Sequence, residues 1–249
     1  MEHMLDVLFN HRSIRKYKEK PLTEEQIHTI VEAAQHASTS SYYQAYSIIG
    51  VTDQQLKKEL AGISGQSYVE HNSHLFVFCA DLRRLFLKAN EKTREKMMEN
   101  LQNTEHFIVA TVDAALAAQN AAIAAESMEL GICYIGSLRN NIAKVDELLE
   151  LPEFVIPLFG MTVGYPDHNP EQKPRLPMKA IYFENKYEDN DAILEAELNE
   201  FNKRLEAYYQ SRSENNRSDT FTDQVQRKLS NPIRMDVTNF VKKKGYNQK

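Results

Sequence analysis

The stretch Phe107-Ile-Val-Ala-Thr-Val-Asp113-Ala-Ala-Leu-Ala-Ala-Gln119-Asn120-Ala-Ala-Ile-Ala-Ala-Glu126-Ser-Met128 decides how the rest of the chain is read. Apolar residues fall nearly all round a helical projection, and alanine dominates. A helix without a polar face is buried rather than solvated. Alanine also lets neighbouring helices approach closely. The pattern predicts a helix over 105–129, opened by Thr104 as its cap. Some 25 residues make about 37 Å, enough to span a domain. We therefore expect this helix at the centre of the fold, or at a subunit interface. Asp113, Gln119, Asn120 and Glu126 interrupt its apolar run, so it is not read as a membrane span.

Outward from that helix, four stretches read as strands: Ala45–Val51, Leu75–Ala80, Gly131–Gly136 and Val155–Val163. Leu75-Phe-Val-Phe-Cys-Ala80 is continuously apolar, the pattern of a strand covered on both faces. Thr23 and Gln26 have the spacing of a capping box. Behind them Ile27, Ile30, Val31, Ala34 and Ala37 form one apolar stripe of a second helix. Shorter helices are expected over 3–10, from the cap Asp53 to Gly62, within 82–101, and over 139–149. Ser38-Thr-Ser-Ser41 and Gly65-Gln-Ser-Tyr68 read as loops. From 184 onward the chain is polar, with helical pieces at 193–209, 223–229 and 237–243. That third has too few apolar residues for a core of its own, so it should wrap the main domain or a partner subunit. The sum is an α+β layout of four or five strands, with a core over 1–183 and a C-terminal helical extension over 184–249.

Composition excludes several classes. The chain has 249 residues, 42% hydrophobic and 26% charged, which is ordinary for a globular protein. Its length suffices to bury a core without metal or disulfide staples. The net charge of −5 argues against a general nucleic-acid binder, which carries a basic excess. Cys79 and Cys133 each sit in an apolar stretch and read as buried small hydrophobes in a reducing compartment. Met1-Glu-His-Met-Leu5 has neither the basic nor the apolar segment of a secretory signal, so the expectation is a cytoplasmic protein without a membrane partner.

The eight glycines form no G-x-G-x-x-G and no phosphate-binding loop of the G-x-x-x-x-G-K type. There is no G-x-S-x-G elbow and no H-E-x-x-H; His71 and His74 lack further metal ligands nearby. What remains are three basic clusters. His11-Arg12-Ser13-Ile14-Arg15 offers two guanidiniums, an imidazole and a hydroxyl within five residues. If extended, it places His11, Ser13 and Arg15 on one face and Arg12 on the other. Lys173-Pro174-Arg175 fixes two cations across a stiff proline, and Arg212 and Arg217 flank a polar turn. Guanidinium binds phosphate bidentately, so each cluster is either an anion site or solvated surface.

The ordered set of motifs resembles the flavin-dependent nitroreductase family, in its oxygen-insensitive, NADPH-preferring group that includes flavin reductases. It comprises His11–Arg15, Ser38–Ser41 with Gln44, Gly65-Gln66, Ala118-Gln-Asn-Ala121 with Ala124-Ala-Glu-Ser127, and Tyr134-Ile-Gly-Ser137-Leu-Arg-Asn-Asn141. Pro157-Leu-Phe-Gly160, Lys173-Pro-Arg-Leu-Pro177, Tyr208-Tyr209 and Ser213-Glu-Asn-Asn-Arg217 continue it in order.

The resemblance implies a mainly antiparallel sheet wrapped by helices, in an intertwined homodimer with one FMN in each of two interface sites. It places His11, Arg12, Ser13, Ile14 and Arg15 on FMN, with Arg15 at the N1–C2=O edge, and Lys173, Pro174 and Arg175 as late contacts near the phosphate. Ser38, Thr39 and Ser40 would come from the other subunit, and Gln66 would read the pyrimidine edge. Tyr134, Ile135, Gly136 and Ser137 would lie beside the ring, Ser137 standing where the family frequently has glycine. Arg212 and Arg217 would hold the NADPH 2′-phosphate. The implied activity is ping-pong hydride transfer from NADPH through FMN N5 to nitroaromatics, quinones or free flavin, with no catalytic side chain and no metal. Other FMN chemistry, such as ene reduction or dehalogenation, a flavin-binding sensor, and a helical interaction protein without cofactor are the alternatives.

Overall fold

A computed structural model describes residues 2–212 and 217–249. In chain order the elements are α1 (Glu2–Phe9), α2 (Glu24–Gln35), β1 (Tyr46–Val51), α3 (Gln54–Ser64), β2 (His74–Asp81), α4 (Glu91–Leu101), α5 (Thr104–Ser127), β3 (Gly131–Ile135), α6 (Ile142–Leu148), β4 (Val155–Gly164), α7 (Asp191–Ser211), α8 (Phe221–Leu229) and α9 (Val237–Lys243). They divide into two compact units. Residues up to 170 together with 234–249 form the first, and 171–233 the second.

In the first unit the strands form one four-stranded sheet in the order β1-β2-β4-β3, with every pairing antiparallel. All eight residues of β2 are buried, as its continuous apolar run predicts. Alternation divides them between two cores. Phe76, Phe78 and Ala80 face the core built with α2 and α5. Leu75, Val77 and Cys79 face the core built with α3 and α6. Cys79 and Cys133 are both free and buried, and burial pushes the Cys79 thiol up to about 12.

The long helix α5 packs against β2 and α2, and eight of its ten buried residues are apolar. By length and composition it could also cross a membrane. Here it carries a buried stripe of alanines through the first core, and Asn120 Nδ2 donates to Ala33 O of α2 at 3.1 Å. Burial is not complete all round, which the expectation of a helix at the centre or at a subunit interface allows. Ile108, Val112 and Leu116, spaced four apart, are exposed on one face.

Local signals set most helix starts. Thr23 and Gln26 form the capping box of α2, and Asp53 caps α3 through Leu56 N at 2.7 Å. Gly65, at φ 66°, ends α3 in the left-handed region that glycine adopts without strain. Among the differences from the sequence reading, two have a clear local cause. Asn103, not Thr104, caps α5, because its Oδ1 takes Glu105 N at 3.1 Å. Residues 82–101 are not one helix: a 3₁₀ turn at Arg83–Phe86 buries Phe86, and Asn90 caps α4 afresh.

The C-terminal third follows the expectation in part. Its last segment completes the first core: Phe240, Val241 and Tyr246 are buried, and Tyr246 OH donates to Phe154 O at 2.8 Å. The second unit, expected to lack a core, has a small one. Phe201, Leu205 and Tyr209, four residues apart on α7, pack with Leu176, Tyr208 and Phe221.

Candidate functional site

The segment 11–15 lies along the open edge of β3. Ile14 N donates to Ile132 O at 2.8 Å, and Ser13 bridges Ile132 in parallel. The sheet edge is thereby covered, and the segment is held extended. Ile14 is 5% exposed and lies directly on Gly131, where an added Cβ would come within 2.7 Å of the Ile14 Cβ. The Ile14 carbonyl is held as well. Tyr17 OH donates to it at 2.7 Å and lies 2.8 Å from Thr162 Oγ1 on β4. Burial pushes the Tyr17 phenol far up, so it stays a donor. The backbone that carries Arg15 is therefore fixed on both sides.

Ser13 and Arg15 meet at one thiol. Cys133, buried on β3, interacts with Ser13, Arg15 and Tyr68, and its Sγ lies 4.0 Å from Tyr68 OH. Burial raises the Cys133 thiol, while Arg15, Tyr68 and Ser13 oppose that rise. Burial alone would lower the Arg15 guanidinium, but Cys133 and the Tyr68 hydroxyl outweigh it and raise it. Arg15 is thus a fixed, exposed cation with its base seated among polar partners. Gln66 starts the 3₁₀ turn Ser67–Val69, which brings Tyr68 to Cys133.

His11 is anchored elsewhere. Its Nδ1 lies 2.7 Å from Glu126 Oε1 of α5, which leaves Nε2 as its outward nitrogen. The structure does not bring Arg12 to Ser13 and Arg15. Arg12 Nη1 donates to Asn169 Oδ1 at 2.5 Å and to Pro170 O at 3.3 Å. Arg12 and Ile14 line a cavity of about 860 Å³ with Glu126, Glu129, Asp167 and His168. Asp6 and Lys18 line it too, so acidic side chains outnumber lysine and arginine there.

Tyr134 points its hydroxyl into α5, donating to Ala118 O at 2.8 Å, with its ring edge on Phe159. Ile135 is buried, and Gly136 and Ser137 open a 3₁₀ turn directly after β3. Ser38 and Ser40 are exposed and Thr39 half-buried, in the loop before β1.

In the second unit, Arg175 Nη1 donates to Lys173 O at 2.6 Å across Pro174. Three cations gather on Tyr209: Lys173 Nζ at 5.6 Å, the Arg212 guanidinium at 5.9 Å and that of Arg217 at 4.1 Å from the ring centre. Burial would raise the Tyr209 phenol, but Lys173 and Arg217 outweigh it and lower it. Arg217 also lies 3.6 Å from Asp219. Ser213–Asn216, part of the resembling stretch, lie outside the described residues.

The donor set of the first unit fits a flavin mononucleotide. It offers a guanidinium, an imidazole nitrogen, a hydroxyl and an amide side chain beside a run of backbone N–H groups, all suited to a phosphate and a pyrimidine edge. Tyr17, Tyr68 and Thr162, which hold these groups, belong to no quoted motif, and Glu126, which lies in the Ala124–Ser127 motif, gave no sign in the sequence that it meets His11.

Known proteins match the chain along nearly its whole length. The profile of the "Nitroreductase family" matches residues 8–165, and that of the "Nitroreductase family, C-terminal domain" matches 173–249. The chain is 49% identical to the FMN reductase (NADPH) of Bacillus subtilis strain 168 over 249 residues, covering 100% of both. It superimposes on the structure of B. megaterium NfrA1 with a TM-score of 0.95 at 54% identity, covering 98% of this chain and 99% of that one. The NADPH:FMN oxidoreductase from Vibrio harveyi, solved in complex with NAD+, matches with a TM-score of 0.86 at 38% identity, covering 99% and 100%. Two profiles over nearly the whole length, full-length identity near one half and a shared α+β fold agree: the chain belongs to the nitroreductase family.

Proposed function

We propose that the protein is an NADPH-dependent FMN reductase and nitroreductase, working with bound FMN in a homodimer. The full-length 49% identity to an FMN reductase (NADPH) carries this reading, and the donor-rich edge at Ser13, Arg15 and Gln66 supports it. When bound, FMN supplies the two-electron chemistry between NADPH and a flat, electron-poor acceptor such as a nitroaromatic, a quinone or free flavin.

The residues position and tune rather than react. Arg15 sets a fixed cation at the N1–C2=O edge, where it favours negative charge on the reduced ring. Ser13 and the outward nitrogen of His11 face the phosphate, and Gln66 reads the pyrimidine edge. The backbone N–H groups of Gly136 and Ser137 face the ring at the end of β3. The resemblance adds Arg12, Ile14, Lys173, Pro174 and Arg175 to the FMN contacts. Arg212 and Arg217, gathered on Tyr209, hold the 2′-phosphate and so select NADPH. NADPH and the acceptor occupy the same cleft in turn, so the kinetics are ping-pong, and no side chain serves as nucleophile or general acid.

The exposed stripe Ile108, Val112 and Leu116 on α5, and the exposed Met4, Leu5, Leu8 and Phe9 on the adjoining α1, support a second copy as the partner. Isolated apolar residues are ordinary on a surface, but rows of exposed apolar residues on two helices that touch mark an interface. In that dimer Ser38, Thr39 and Ser40 reach the other protomer's flavin. Buried free thiols suit the cytoplasm.

The test is anaerobic addition of NADPH to the flavin-loaded protein. The yellow colour should bleach rapidly and return with a quinone or nitroaromatic. Colour without bleaching would assign a flavin sensor instead, and failure to bind added FMN would remove the cofactor altogether.

A further inference from the structure

We infer that Asp113, in the middle of α5, is a positioning residue for the flavin site of the opposite protomer, acting through the loop 38–45. The inference rests on the proposal that Ser38–Ser40 serve the partner's FMN.

Asp113 is fully buried in an otherwise alanine-rich helix. Its two oxygens take separate backbone donors, Ser40 N at 2.9 Å and Ala45 N at 3.0 Å. The carboxylate thus ties together the two ends of one loop. Between those ends Ser41, Tyr42 and Gln44 have φ of 48°, 59° and 50°. None is glycine, so each stands in a sparsely populated region that persists only where the surroundings enforce it.

A second clamp closes the far end. Arg84 Nη2 donates to Gln44 O at 3.2 Å and also to Tyr46 O, and Asp81 N donates to Ala45 O at 2.9 Å. The tip between the clamps stands out from the protomer, with Tyr42 83% exposed. Val112 and Leu116 of the exposed stripe flank Asp113 in sequence. The helix that offers a face to the second copy therefore also fixes the loop that reaches into it.

The carboxylate is matched to this task because both its oxygens only accept. Asparagine keeps the shape but turns an NH₂ group against one of the two N–H donors. Asp113→Asn should therefore release one end of the loop without opening a cavity.

The test is the affinity of apoprotein for FMN, read by flavin fluorescence, in homodimers and in a mixed dimer. Asp113→Asn homodimers should keep their circular dichroism and bind FMN about tenfold or more weakly. Wild-type affinity in a folded Asp113→Asn protein would overturn the inference. The mixed dimer pairs one Asp113→Asn protomer with one Arg15→Ala protomer. If Asp113 acts across the interface, both lesions fall on the same site, and one site per dimer keeps wild-type affinity. If it acts within its own protomer, both sites are weak and the inference fails. A monomer in sedimentation would also overturn it.

Arg15→Ala homodimers with undiminished affinity would instead refute the reading of Arg15, and the Asp113→Asn homodimer would still decide the role of Asp113. Should Asp113→Asn not fold, Arg84→Ala loosens the same loop from its exposed side. Paired with Arg15→Ala in a mixed dimer, it distinguishes action across the interface from action within one protomer by the same count of intact sites.

Discussion

The two units hold their cations in different ways. In the first, Arg15 follows the buried Ile14, whose N–H and C=O are both bonded, and lies beside Cys133 and Tyr68. In the second, Lys173, Arg212 and Arg217 lean on one tyrosine ring that anchors a small core. Sheet pairing gives a position that costs little further ordering when a ligand binds. Cation–π contact leaves long side chains room to adjust, and contributes only about 0.5–1 kcal/mol at exposed sites. The contrast fits a cofactor that stays bound and a co-substrate that enters and leaves in each turnover.

The strongest way to break the comparison is at Gly131. Gly131→Ala places a methyl group against the branched Cβ of Ile14, which cannot swing away without lifting the segment 12–15. Overpacking of this kind costs about 1–3 kcal/mol, and the lifted segment should weaken FMN binding by about 100-fold. Flavin titration of the apoprotein checks it, and an unchanged affinity would separate Ile14 from the cofactor.

Arg217→Ala probes the other region. It should raise KM for NADPH by roughly 50-fold, the loss of one charge-assisted contact to the 2′-phosphate, and leave KM for NADH within about twofold. Equal effects on both nucleotides would remove Arg217 from that role.

Acid should separate the regions because the first unit buries a titrating group. Burial, helped by the charge on Lys57, lowers the His74 imidazole to about 4 from 6.5. Between those values the unfolded chain binds the extra proton, so stability present above pH 6.5 drains away as pH falls through that window. His74 alone should make the protein about 2 kcal/mol less stable at pH 5 than at pH 7. Urea unfolding of wild type and His74→Gln at both pH values tests it, since the variant should lose most of the difference.

The smallest effect belongs to the ring. Tyr209→Leu removes the cation–π platform and should raise KM for NADPH about threefold, with FMN affinity unchanged. A loss of FMN would show that the two regions are not separable in function.

Much of the fold was legible because its signals are local. The capping box at Thr23 and Gln26, the cap at Asp53 and the unbroken apolar run of β2 each act within a few residues. The miss at Asn103 and Thr104 has an equally local reason: two adjacent residues can both cap, and only the geometry shows that Asn103 does. The small core of α7 was hidden because Phe201, Leu205 and Tyr209 stand four apart among charged residues, and their partners Leu176 and Phe221 lie outside the helix.

The candidate site was legible where its residues form runs, as in His11–Arg15, and illegible where single residues support them from afar. Tyr17 reaches Thr162, and Glu126 reaches His11, across more than a hundred positions of chain. Asp113 was visible only as an interruption in an apolar helix; that a charge sits there at all was the signal, and its two loop partners were not.

Central to the proposed chemistry is that Arg15, held by the edge of β3, faces the reduced flavin. The midpoint potential of bound FMN in wild type and Arg15→Ala measures this most directly. The potential should fall by about 30 mV or more in the variant, the two-electron equivalent of about 1.4 kcal/mol. An unchanged potential with FMN still bound would contradict it.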